Sequence, residues 1–279
     1  MAGGGVVAFS GTFPATAFAL RGFDPYFVAI GRGVVAAFAA VVCLVVARVP
    51  LVPPRGRLGS YVVTSVCVVF GFPLLSALAL DAGASVSHSA VVVGLLPLAT
   101  AVCAVLRAGE RPRRLFWLSC GAGAVAVTLF TLSRGGGSLA VADLLLVGAL
   151  LSAAVGYTEG ARLAKDTPGL QVISYALVVA LPVTVPVTVL LLVTGQHVTA
   201  PALGGFLYVG LVSMFLGFIP WYAGLARGGI ARAGQTQLLQ PPLTLVWAWL
   251  LLSEALELVT LGAALAVLLC VAATQRARS

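Results

Sequence analysis

Long apolar runs separated by short polar gaps constrain this chain more than any other feature of its sequence. A helix rises about 1.5 Å per residue, so an apolar run of about 20 residues crosses the roughly 30 Å hydrocarbon core of a bilayer. These runs predict ten membrane-spanning helices, near residues 2–20, 25–47, 59–80, 85–106, 114–133, 141–162, 169–193, 202–225, 230–252 and 256–273. The gaps are short, so none of them could fold as a separate soluble domain.

A helical fold follows from the physics of the bilayer. Backbone polar groups in lipid need internal partners, which only helices and closed β-barrels provide. Barrel strands alternate apolar and polar residues, whereas runs such as 189–193 (Val-Leu-Leu-Leu-Val) do not alternate. The sequence therefore predicts an all-α integral membrane protein.

The basic residues predict which way the chain faces. Of its 16 Lys and Arg residues, thirteen lie in or beside every second gap or at the C-terminus. The alternate gaps hold only Arg21 and Arg134, and Arg32 lies inside the second predicted span. Short cytoplasmic loops carry an excess of Lys and Arg, which predicts that both termini are cytoplasmic. The net charge of +8 is thus explained by topology, and we expect no nucleic-acid partner.

An internal repeat is visible when residues 95–110 are aligned with residues 239–254, an offset of 144. Seven positions agree, and the most informative of these are Pro97 with Pro241, Thr100 with Thr244 and Glu110 with Glu254. The offset carries the fourth span onto the ninth, an odd step of five that reverses the direction of travel. The sequence predicts two inverted five-helix repeats, residues 1–134 and 135–279, an architecture that secondary transporters use for alternating access.

The same segments carry a family resemblance. Residues 94–100 (Gly-Leu-Leu-Pro-Leu-Ala-Thr) lead to Gly-Glu-Arg-Pro at 109–112, and residues 237–242 (Gln-Leu-Leu-Gln-Pro-Pro) lead to Ser-Glu at 253–254. Both resemble signatures of EamA-type permeases in the drug/metabolite transporter superfamily, although Ser replaces the usual Gly in the second. The resemblance implies ten helices, cytoplasmic termini and transport of small metabolites or drugs, mostly outward.

Polar residues and prolines in the ninth span indicate a transport site. Gln240 shares a helical face with Thr236 and Thr244, with Gln237 beside it, and buried amides in lipid need a neighbouring helix or a cavity. Pro97 and Pro241 interrupt matching spans of the two halves, which is typical of transporter binding sites. We expect Gln237 and Gln240 to line a cavity, although interhelical packing is an alternative.

Ionisable residues within spans are a second group of candidates. Arg32 could bind an anion, but snorkelling or pairing with Asp24 or Asp81 is the favoured interpretation. Glu159, beside Tyr157, could titrate or bind a cation, or could form a helix-end ion pair with Arg162. His88 could couple transport to protons, or could be a hydrogen-bonded structural residue at a helix entrance.

Aromatic and sulfur-containing residues complete the candidates. Trp221 and Tyr222 could form an aromatic wall for an apolar or cationic substrate, or belong to an interfacial belt. The five cysteines all lie in apolar spans without CxxC spacing, so we expect neither disulfides nor a metal site. No nucleotide-binding loop or hydrolase motif occurs, so we predict no cofactor and no enzymatic activity.

Together these features predict a secondary transporter of the bacterial inner membrane that exports a small metabolite or drug-like molecule. Its partners would be that substrate and the lipid bilayer, and it would be a monomer or a homodimer. An importer or exchanger on the same fold is one alternative. A membrane-embedded enzyme for lipid-linked substrates and a non-transporting scaffold are others, and the enzyme would need paired acids or histidines on one membrane face.

Overall fold

The computed structural model describes residues 2–108, 114–134 and 139–278, and these residues are helical without any β-strand. The α-helices are α1 Ala2–Ser10, α2 Thr12–Ala19, α3 Pro25–Val46, α4 Leu58–Thr64, α5 Phe72–Asp81, α6 Val86–Val93, α7 Leu96–Ala108, α8 Arg114–Arg134, α9 Val141–Leu163, α10 Gly169–Leu191, α11 Ala200–Leu207, α12 Phe218–Gln237, α13 Gln240–Leu252 and α14 Leu258–Arg278. Two segments are π-helical. Ser65–Gly71 connects α4 to α5, and Tyr208–Leu216 follows α11 and leads to α12. Short 3₁₀ turns lie at Arg55–Arg57 and Leu192–Thr194.

Six helical stretches in this described part of the chain are long and apolar enough to cross a bilayer. They are Pro25–Val46, Arg55–Asp81, Val86–Leu106, Val141–Leu163, Gly169–Leu191 and Ala200–Arg227. Shorter apolar helices cover Arg114–Phe130, Gln240–Leu252 and Leu258–Ala273. The prediction of an all-α membrane protein is confirmed for the described residues.

The first predicted span is divided in two at Gly11. The ring of Tyr208 lies so close to this glycine that a Cβ atom there would overlap the Tyr208 hydroxyl. That hydroxyl donates a hydrogen bond to the carbonyl of Ala8 at 3.0 Å. The carbonyl of Ser10 accepts a hydrogen bond of 2.9 Å from Thr244 Oγ1. The helix thus breaks where side chains from other helices replace its own backbone bonds.

Helix α12 runs through the gap predicted around residues 226–229, so this connection is helical and not an extended loop. The chain nevertheless reverses direction there. Gly4 packs against Pro220 and its neighbour Gly3 packs against Thr236. In a straight helix, residues 16 positions apart would be separated by about 24 Å. The chain therefore runs antiparallel to α1 before the reversal and alongside α1 after it.

Two further breaks occur inside helical stretches. Residues 94–95 separate α6 from α7, and residues 238–239 separate α12 from α13. Pro97 and Pro241 each occupy the second position of the helix that follows the break. A first-turn proline removes only an N–H group that has no partner within its own helix. The prolines are therefore compatible with short helices that begin inside the protein.

Hydrogen bonds and ion pairs at both ends of the helix bundle connect residues before 134 with residues after 139. At one end, the Val86 and Ser87 N–H groups each donate to Glu254 at 2.8 Å. The Asp24 N–H group also donates there, to the side chain of Gln196, at 2.8 Å. At the other end, Arg57 pairs with Asp166 at 2.7 Å, and Ser60 donates to Glu159 at 2.6 Å. The two parts of the chain are thus joined at both ends.

Replacing Glu254 should destabilise the protein, because its carboxylate caps the N-terminus of α6. For Glu254→Ala, we expect the free energy of unfolding in mixed detergent to fall by about 1–3 kcal/mol. For Glu254→Gln, the fall in the free energy of unfolding should be smaller, because the amide oxygen of Gln can still accept one N–H bond. Asp81→Ala is the control, because Asp81 is exposed at the end of α5. Equal effects of Glu254→Ala and Asp81→Ala would contradict the capping role.

Candidate functional site

A central cavity lies among helices from both parts of the chain. The space between its atoms is about 410 Å³, with the open space at its mouth included, and only about 20 Å³ can hold the centre of a water molecule. That is room for one or two waters. The lining residues are Phe9, Thr12, Arg32, Val68, Phe72, Leu96, Ala153, Tyr157, Ser213, Met214, Phe218 and Gln240. In this conformation the cavity is narrow, and a larger molecule would require its walls to separate.

One wall of the central cavity is aromatic. The Phe9 ring lies 4.8 Å from Phe218 and 6.1 Å from Tyr157, measured between ring centroids. Trp221 packs behind them, 5.2 Å from Tyr157 and 6.0 Å from Phe9. The close approach depends on Gly5, where a Cβ atom would meet the backbone of α12. Such a wall suits the apolar or aromatic part of a ligand.

The polar groups of this cavity are few. Thr12 and Ser213 share a hydrogen bond of 2.7 Å between their hydroxyl oxygens. Arg32 is only 3% exposed, and its Nε atom has no hydrogen-bond partner in the described part of the chain. The Oε1 atom of Gln240 is also buried without a partner there. Among the described residues that line the cavity, Arg32 is the only charged one.

A second, smaller cavity adjoins the first through Gln240, which lines both. The space between its atoms is about 250 Å³, open space at its mouth included, and it lies at the two helix breaks. Its lining residues are Phe13, Ala90, Val93, Gly94, Pro97, Gln237, Gln240, Pro241 and Thr244. The Nε2 atom of Gln237 is buried here without a described partner. The broken helices thus present amide groups to the interior.

The predicted site residues divide according to their distance from these cavities. Tyr157 and Gln240 line the central cavity, and Gln237, Gln240, Pro97 and Pro241 line the second. Trp221 and Tyr222 are fully buried in the layer behind, Trp221 against Tyr157 and Tyr222 against Phe218 at 5.3 Å. Neither of them belongs to an interfacial aromatic belt.

Glu159 lies outside both cavities, near the end of α9. It accepts hydrogen bonds from Ser60 at 2.6 Å and from Arg162 at 3.1 Å. Because Tyr157 is two positions earlier in the same helix, the two side chains project from different faces. The structure therefore separates Glu159 from Tyr157 and joins it to α4.

His88 also lies outside the cavities. Its Nε2 atom is 2.7 Å from Asp143 Oδ1, and its ring stacks on Phe130 at 5.2 Å. Asp143 also accepts the N–H group of Ala140 at the start of α9. His88 thus links α6 with α8 and α9, and its serine neighbours gave no sign of this distant carboxylate.

The cavity residues that sequence reasoning did not single out are mostly apolar or carry one hydroxyl, such as Phe9, Thr12 and Ser213. Single hydroxyls in apolar spans are a weak signal, so only the fold identifies them. Arg32 was a candidate for which pairing with Asp24 or Asp81 was favoured. Asp24 instead caps α3 by accepting N–H bonds from Tyr26 and Phe27 at 2.9 and 3.2 Å.

The structure shows no candidate metal site in residues 2–108, 114–134 and 139–278. No group of three or more His, Cys, Asp or Glu residues among them could hold an ion. The five cysteines are partly buried.

Comparison with known proteins places this architecture among transporters. The EamA-like transporter family matches residues 1–132 and residues 140–274, which confirms the resemblance carried by the sequence motifs. The chain is 43% identical to the uncharacterized transporter YdeK of Bacillus subtilis (strain 168), over 98% of this chain and 94% of that protein. It is 26% identical to a probable terminal-alkyne amino-acid exporter of Streptantibioticus cattleyicolor, over 89% of this chain and 83% of that protein.

One solved crystal structure aligns with 98% of this chain and 96% of its own chain, with a TM-score of 0.67. The sequence identity is 16%, so this likeness concerns the fold alone.

Replacing His88 should affect stability and leave ligand binding unchanged, because its partner is a buried carboxylate outside the cavities. For His88→Ala, we expect the free energy of unfolding in mixed detergent to fall by about 2–4 kcal/mol. For His88→Gln, the fall in the free energy of unfolding should be smaller, because the amide of Gln can still donate to Asp143. Unfolding and ligand affinity are measured on the same preparations. A change in affinity without a change in stability would place His88 in the site.

Proposed function

Because the chain belongs to the EamA-like transporter family, we propose that it is a secondary transporter that exports a small metabolite or drug-like molecule across the bacterial inner membrane. The observation that carries this proposal is the central cavity. It is lined by helices from both parts of the chain and contains buried polar groups that have no partner among the described residues. Buried polar groups of this kind are costly unless a ligand or water satisfies them.

An inverted repeat of ten helices is the architecture that we propose for this function. The sequence offset of 144 also relates helix boundaries: α8 at 114–134 becomes 258–278, the range of α14. The break at 94–95 becomes 238–239. The π-helical segment Ser65–Gly71 becomes 209–215, within the segment Tyr208–Leu216. Breaks and π-segments are specific features, so their agreement supports a duplicated unit.

The cavities support the same relation. Phe9 and Ala153 both line the central cavity and are 144 positions apart, as are Leu96 and Gln240. Pro97 and Pro241 line the second cavity at the same offset. Equivalent positions of both halves thus meet at one place, as expected for a substrate site between inverted repeats.

Alternating access would require the contacts at one end of the bundle to separate while those at the other end remain. The Glu254 cap of α6 lies at the end predicted to face outside. The Arg57–Asp166 and Ser60–Glu159 contacts lie at the end predicted to be cytoplasmic. Each set is small and polar, so water can replace its bonds when that end opens.

Outward transport agrees with the name of one relative, the probable amino-acid exporter. The distribution of basic residues supports cytoplasmic termini. Family and relatives' names point to a transporter and not to an enzyme. Import or exchange on the same fold is the alternative, and the direction of flux distinguishes it.

Expression should change the distribution of at least one small molecule between cells and medium. Metabolite profiling of cells with and without the protein identifies that molecule. Inside-out vesicles should then accumulate it in the presence of an ion gradient, and right-side-out vesicles should not. Accumulation only in right-side-out vesicles would indicate import, and unchanged profiles would contradict transport.

Gln240→Cys, introduced after the five native cysteines are replaced by alanine, should react with a water-soluble thiol reagent. Reaction is expected because the cavity must open to water in part of the cycle, and substrate should slow it. Asp81→Cys is the accessible control, and Leu250→Cys, on the exposed apolar face of α13, is the lipid-facing control. A Gln240→Cys protein as unreactive as Leu250→Cys would contradict the cavity assignment.

A further inference from the structure

Arg32 carries a charge that no described residue compensates. It lies seven residues after the start of α3 and is 3% exposed. No described carboxylate forms an ion pair with it, and its Nε atom has no hydrogen-bond partner among the described residues. Within a membrane, an unpaired guanidinium in the interior is expensive, so its presence requires a function or a ligand.

The acidic residues of the spans and their ends are occupied elsewhere. Asp143 pairs with His88, and Glu159 binds Ser60 and Arg162. Glu254 caps α6, and Asp24 caps α3. Arg32 is therefore distinct among the buried charges of the described chain in facing a cavity instead of a partner.

We propose that the transported molecule is a small organic anion, whose carboxylate binds the Arg32 guanidinium and whose apolar body lies against the Phe9–Tyr157–Phe218 wall. This inference rests on the proposed transport function and specifies its substrate class. A guanidinium binds a carboxylate through two parallel N–H bonds, which gives both charge and direction.

Neighbouring hydroxyl groups fit the same ligand. Thr12 and Ser213 line the cavity, and one hydroxyl donates to the other at 2.7 Å. The hydroxyl that accepts this bond keeps its own proton, which remains available to a carboxylate oxygen. The cavity thus offers an anion both a permanent charge and a neutral donor.

The charge of the lining also distinguishes between classes of carboxylate. None of the described residues that line the central cavity is Asp or Glu, so an ammonium group would find no counter-charge among them. The aromatic faces can attract an ammonium only weakly in comparison. We therefore expect a simple carboxylate to bind more tightly than the corresponding amino acid, and an amine to bind most weakly.

The test uses thermal stability of the full-length protein in detergent with three probes that share one phenylethyl body. These are 3-phenylpropionate, L-phenylalanine and phenethylamine, each titrated at constant ionic strength. We expect 3-phenylpropionate to raise the melting temperature most and phenethylamine least. A larger effect of phenethylamine, or equal effects of all three probes, would overturn the proposal.

Variants at Arg32 separate ligand binding from a structural role. Arg32→Met should weaken 3-phenylpropionate binding at least about tenfold, while the melting temperature without ligand stays equal or rises, since an uncompensated buried charge is removed. Arg32→Lys should bind with intermediate affinity, because it keeps the charge and loses the two-bond geometry. Arg21→Met is the matched control, since Arg21 is exposed and lies over the Phe18 ring.

A structural Arg32 would give a different pattern, in which Arg32→Met lowers the melting temperature of the ligand-free protein and leaves probe affinity unchanged. That result would overturn the proposal. Flux measurements distinguish a failure of the anion proposal from a failure of the proposed transport function. Export restricted to neutral or cationic molecules would contradict the anion proposal and support the transport function. If no molecule were exported but probe binding still depended on Arg32, the result would contradict the transport function and support the anion site.

Discussion

The requirement that backbone polar groups find partners without water governs this structure. In lipid, each unsatisfied N–H or carbonyl group costs several kcal/mol, so a helix can end only where other groups replace its own bonds. Thr244 does so at the Gly11 break, and Glu254 does so at the start of α6. The break at residues 94–95 and the amides beside the break at 238–239 adjoin the second cavity. The places where helices are interrupted are therefore the places where the protein keeps polar groups inside.

Much of the fold could be predicted from the sequence, because hydropathy in a membrane reports directly on helix formation. The runs of apolar residues indicated the helices, and the offset between residues 95–110 and 239–254 pointed to matching interruptions beside Pro97 and Pro241. The gap around 226–229 was harder, because the chain reverses there while its backbone stays helical. Outside the apolar runs, hydropathy shows that a segment is polar but does not show which backbone conformation it adopts.

The site was predictable only in part, since partners of side chains depend on contacts distant in sequence. Gln237 and Gln240 could be identified because an amide in an apolar span has few uses. His88 and Glu159 looked equally suitable as site residues, but each binds a side chain outside the cavities. Arg162 is three positions from Glu159 and could be recognised as its partner, whereas Asp143 is 55 positions from His88 and could not. Arg32 is the reverse case, because no described carboxylate pairs with it and it lines the cavity.

Some positions that line the central cavity differ in chemistry from the positions related to them by the offset of 144. Leu96 corresponds to Gln240, and Arg32 corresponds to Ala176, which is buried and apolar. A duplicated frame with identical residues would present the same groups twice, and two buried guanidiniums would repel each other. Here the residues before 134 supply the charge of Arg32, and the residues after 139 supply the amide of Gln240. The proposed organic anion, held with its carboxylate at Arg32, would make each crossing in the same orientation, with the same end leading.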